Sequence, residues 1–119
     1  MTVQGADADS IDEAYAYQCL TVVGGASYDA SAALFLPTSA GAVEGSLSVW
    51  YYASSDCSGA ILASFPGARS ATVGAWQAVT ASGAAPTSAH SMIVRLVMLK
   101  PRGQTAGEAL FDDVLVNSP

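Results

Sequence analysis

Seven short runs of β-branched, aromatic and small apolar residues, near 14–22, 27–36, 45–53, 61–65, 75–81, 90–99 and 108–117, make up most of this chain. Gly, Pro, Ser or Asp interrupts them before a helical repeat can establish itself. That spacing predicts an all-β chain folded as an antiparallel sandwich of seven or eight strands. The breaks carry their own chemistry. Gly24-Gly25 supplies positive φ at little steric cost, and Ser54 to Gly59 is a polar turn ending in glycine. Pro37 to Gly45 and Pro101 to Gly107 read as longer loops. The first residues differ: Asp7, Asp9, Asp12 and Glu13 mark 1–13 as an acidic lead-in, with 14–119 as the single sandwich domain.

Charge narrows the partners. Ten acids against four bases give a net charge of −6, and Arg69, Arg95, Lys100 and Arg102 form no stripe in sequence. Nucleic acid and anionic lipid are therefore not expected partners, because both need clustered Lys and Arg. No run approaches the roughly 18 apolar residues of a membrane helix, so membrane insertion is not expected. The start lacks a basic segment followed by an apolar core, so no signal peptide is expected, and Met1 reads as an added start or as the boundary of an excised domain. Cys19 and Cys57 are too far apart for a CxxC motif and have no histidine beside them. They form one disulfide, or remain as buried or reduced thiols; the disulfide reading implies a secreted or cell-surface protein.

Strand parity predicts the core. Successive side chains point to opposite faces, so Ala30, Ala32, Leu34 and Leu36 share one side of their run. Leu47, Val49 and Tyr51 do the same, as do Met92, Val94, Leu96 and Met98. The opposite parities are unusual. One holds Ser46 and Ser48 with Trp50 and Tyr52, and another holds Ile93, Val97 and Leu99 around Arg95. A sandwich strand normally reads apolar inside and polar outside. The expectation is that a ligand, a long loop or another copy of the chain covers part of one outer face.

Catalytic chemistry is not expected. The single histidine, His90, reads as an exposed or capping residue, and no G-x-S-x-G elbow accompanies the many serines. Asp112 and Asp113 are adjacent in a strand, so they point to opposite faces and do not flank one glycosidic bond. There is no phosphate-binding loop and no dinucleotide fingerprint.

Several pieces in order resemble a known family. They are Cys19 with Gly25-Ala26-Ser27-Tyr28-Asp29-Ala30-Ser31, then Leu47 to Tyr52 followed by Asp56-Cys57-Ser58-Gly59, then Gly74-Ala75-Trp76, Ala85-Pro86 with Ala89 and Ser91, and Phe111-Asp112-Asp113-Val114. Together these resemble the jelly-roll carbohydrate-binding modules of the galactose-binding-like fold. The resemblance implies a non-catalytic, extracellular glycan-binding module. It also allows a structural calcium at Asp112 and Asp113. Sugar rings stack on aromatic faces, so Trp50 and Tyr52, on the serine-bearing parity, are the expected platform. Phe35 and Arg95 join them if their strands are neighbours, whereas Trp76 matches a packing position of the family. The front departs from the family, since no strand is expected before Ala14. The module then looks shortened by one or two strands, with an open sheet edge that natural proteins cover or pair. The alternative function follows from that edge and the apolar outer faces: a self-associating structural subunit of an extracellular assembly, whose partner is another copy of itself.

Overall fold

The computed structural model describes residues 2–5, 12–38, 42–101, 104 and 107–118. Eight strands are present among them: β1 (Thr2–Gly5), β2 (Asp12–Thr21), β3 (Ser27–Phe35), β4 (Glu44–Tyr52), β5 (Ile61–Pro66), β6 (Trp76–Ala84), β7 (Ser91–Lys100) and β8 (Gly107–Asn117). They form two four-stranded antiparallel sheets, ordered β1-β8-β3-β6 and β2-β7-β4-β5. The chain changes sheet at every connection except the β4–β5 hairpin.

The core lies where parity puts it. Ala30, Ala32 and Leu34 of β3 face Leu47, Val49 and Tyr51 of β4 and Met92, Val94, Leu96 and Met98 of β7, all buried. Gly45 has no side chain because a Cβ there would sit 2.7 Å from the methyls of Leu34. The front of the chain corrects an expectation. Thr2–Gly5 is a strand and pairs with Gly107–Leu110, so β8 is not an open edge. Four residues are too few to carry a periodic signal, which is why β1 was not legible. Asp7 and Asp9 lie outside the described residues.

Tyr51 ties the two layers together. Its hydroxyl donates to the Gly83 carbonyl on β6 at 2.9 Å. Burial, with Tyr28 and Asp29 nearby, pushes its pKa from 10.0 up to about 12. The folded state holds this proton more tightly than the unfolded chain does. Its contribution to stability is therefore full below pH 10 and is lost as pH rises toward 12. Tyr51→Phe should remove that part of the alkaline dependence and cost about 1 kcal/mol at neutral pH. Urea midpoints measured across the alkaline range check both; an unchanged alkaline slope in the variant would reject the assignment.

Candidate functional site

The outer face of the β2-β7-β4-β5 sheet follows from its register. Tyr17, Arg95, Ser48 and Pro66 form one row across the four strands. Cys19, Ile93, Trp50 and Ser64 form the next. A groove of about 170 Å³ runs over this face, lined by Ser46, Ser48 and Ser64 with Trp50, Arg69 and Arg95 among its neighbours. Small serines on the strands lower the floor, and larger side chains stand around it.

Trp50 and Arg95 come together as parity and neighbouring strands require. The Arg95 guanidinium lies 3.9 Å from the centroid of the Trp50 ring. That contact holds a planar cation over an aromatic face, an attraction of roughly 0.5–2 kcal/mol depending on desolvation. Arg95 is 7% exposed, so its position is fixed by its surroundings rather than by solvent. Trp50 is half-buried, and the guanidinium occupies one face of its indole. Tyr17, directly across from Arg95, is 62% exposed. It is an exposed aromatic ring on this face, and it was not among the expected site residues. Its signal was present in sequence: Tyr17 shares parity with Cys19, and Cys19 points outward to meet Cys57.

Cys19 and Cys57 form a disulfide with their Cα atoms 6.1 Å apart. The bridge holds the turn between β4 and β5 against the end of the sheet. Ser91 secures the same turn: its hydroxyl donates to the Ser54 carbonyl at 2.6 Å and accepts from the Cys57 amide at 3.0 Å. Nδ1 of His90 lies 2.8 Å from the Ala53 carbonyl, so the single histidine caps this turn. Ile93, between Cys19 and Trp50, is only 8% exposed. The chain thus covers part of its own apolar outer face. Tyr52 is a correction for the same reason. It lies opposite Ser91 beneath the tethered turn and is buried, so it presents no ring to a ligand.

Phe35 is a second correction. It belongs to β3 in the other sheet and cannot share a face with Arg95. Its ring packs against Trp76 at 5.5 Å between centroids. Trp76 thus packs against a neighbouring ring while staying 54% exposed. Asp112 and Asp113 mark a break in register, where β8 inserts one residue more than β3 between Ala33 and Ser31. Asp113 has φ of 51°, and its amide donates to the Asp112 carboxylate at 2.8 Å. The doubled aspartate therefore shapes a β-bulge. Among the described residues, no three His, Cys, Asp or Glu side chains gather as metal ligands. Among the described residues no helix is long and apolar enough to cross a membrane.

No protein-family model matches the chain, and no curated protein matches it. Among solved structures, it is similar to endo-1,4-β-D-xylanase 10B of Clostridium thermocellum, crystallised as its CBM22-1 and GH10 modules with xylohexaose. The TM-score is 0.63 at 22% identity, over 98% of this chain and 21% of that one. The chain thus spans about a fifth of that structure, and the likeness is to its CBM22 module. At this identity the likeness establishes architecture: the chain shares the β-sandwich fold of that module.

Proposed function

We propose that this chain is a non-catalytic module that binds a polysaccharide outside the cell through the outer face of the β2-β7-β4-β5 sheet. One observation carries the reading: an exposed tyrosine, a fixed guanidinium and strand serines lie in adjacent register on one face. An aromatic ring offers an apolar plane to the C–H side of a pyranose, while hydroxyls and guanidinium N–H groups hold the sugar hydroxyls. Likeness to a module crystallised with xylohexaose supports the ligand class. The disulfide supports an oxidising, extracellular setting.

Affinity electrophoresis in gels containing soluble xylan tests this. Tyr17→Ala should weaken retention at least tenfold with little change in melting temperature, because Tyr17 is mostly exposed. Trp50→Ala should abolish retention and also cost about 2 kcal/mol, since it removes a half-buried ring and the support of Arg95. Wild-type retention in both variants would reject this face as the binding surface.

A second reading, self-association, has its own support. Phe35, Trp76 and Leu115 place apolar surface on the outer face of the other sheet. Light scattering after size exclusion tests it. A dimer that Trp76→Asp dissolves would favour it, and a monomer at high concentration would remove it.

A further inference from the structure

We infer that the groove on the β2-β7-β4-β5 face takes an acidic sugar, a uronate carried on the glycan; this rests on the glycan-binding reading above. The chain has only four basic residues and a net charge of −6. Two of the four, Arg69 and Arg95, line this one groove, and among the described residues no acidic side chain does. Glu44, opposite Leu99 on the same outer face, stands one row beyond Ser46. Glu13 on β2 is the other register partner of Leu99, so the cationic part of the groove is the part that holds Arg69 and Arg95.

The parts suit a carboxylate. Guanidinium groups form planar, paired hydrogen bonds with carboxylates and hold their charge at any working pH. Arg95 is fixed in orientation by Trp50, and Arg69 is exposed on the segment that follows β5. Ser46, Ser48 and Ser64 supply hydroxyl donors between them. The volume also decides something. At about 170 Å³ the groove is smaller than the roughly 300–1,000 Å³ that encloses a drug-sized ligand. It suits one charged substituent, with the neutral backbone of the glycan passing over Tyr17.

Nonspecific electrostatics would act the other way, since an acidic protein is repelled by a polyanion. Preference for an acidic polymer would therefore report local recognition. The probes are glucuronoxylan and the same polymer with its uronate carboxyls reduced to neutral alcohols, which share a backbone and differ in the carboxylate, compared by affinity electrophoresis and calorimetry at low salt. Glucuronoxylan should bind about tenfold tighter. Arg69→Gln should lower its affinity about tenfold and close the gap between the polymers, and 0.5 M salt should narrow that gap. Equal affinity for both polymers would overturn the acidic-sugar inference while leaving glycan binding standing. A preference that survives both Arg69→Gln and high salt would overturn it as well. Failure of the folded protein to bind either polymer would overturn both readings together.

Discussion

Replacing both Cys19 and Cys57 by serine should lower the unfolding free energy by about 4 kcal/mol. The bridge spans 38 residues of sequence, and in the chain-entropy account a closed loop of that length restricts the unfolded chain by this amount. For a domain of this size the melting temperature should fall by roughly 15 °C. Binding should suffer beyond the loss of stability, because the bridge anchors Cys19, which lies in the same row as Ile93 and Trp50 on the proposed binding face. Urea unfolding of the double variant, followed by polysaccharide retention well below its melting point, separates the two effects. A loss under 1 kcal/mol would mean that the Ser91 hydrogen bonds to Ser54 and Cys57 alone hold the turn.

Gly67→Ala is the second large effect. Gly67 follows β5 and donates its amide to the Leu47 carbonyl on β4 at 2.8 Å. A Cβ at this position would lie 2.1 Å from the Thr80 carbonyl oxygen of β6 and 2.9 Å from that of Leu47. Both obstacles are backbone, so no rotamer change relieves them; the two sheets must part at this edge. Overpacking of this kind costs about 3 kcal/mol. Gly67 also lines the groove, two residues before Arg69. The variant should therefore lose stability and weaken the proposed glycan binding together, as calorimetric unfolding and electrophoretic retention would show. Wild-type stability would mean that the edge is open enough to admit a methyl group.

Which side of each strand faces the core was readable from alternation alone. Leu47, Val49 and Tyr51, and Met92 to Met98 on the same parity, are buried as expected. Which strands lie side by side was not readable in the same way. Phe35 and Trp50 sit in consecutive strands, yet the chain crosses to the other sheet between them. Parity assigns a face and says nothing about the sheet. Arg95 and Trp50 did meet, because β7 lies beside β4, and that adjacency comes from tertiary pairing. Tyr52 had the right parity and the wrong surroundings: its cover is a turn pinned by a distant cysteine. The two aspartates near the end looked like ligand chemistry because a bulge uses the same residue type for a different purpose.

The route of the chain has a consequence for how it reaches this state. Only the β4–β5 hairpin can form from neighbouring sequence, on a microsecond scale; the other pairings wait for remote segments, and β-topologies of this kind fold in milliseconds to seconds. Cys57 belongs to that early hairpin, whereas Cys19 lies on β2, separated from β4 by β7. During synthesis both thiols emerge well before β7. If they oxidise at once, the remaining chain must slide its seventh strand into a gap already tied shut at one end. Maturation is then fastest when oxidation waits for the C-terminal strands, and the yield of folded protein becomes sensitive to how early the oxidant acts.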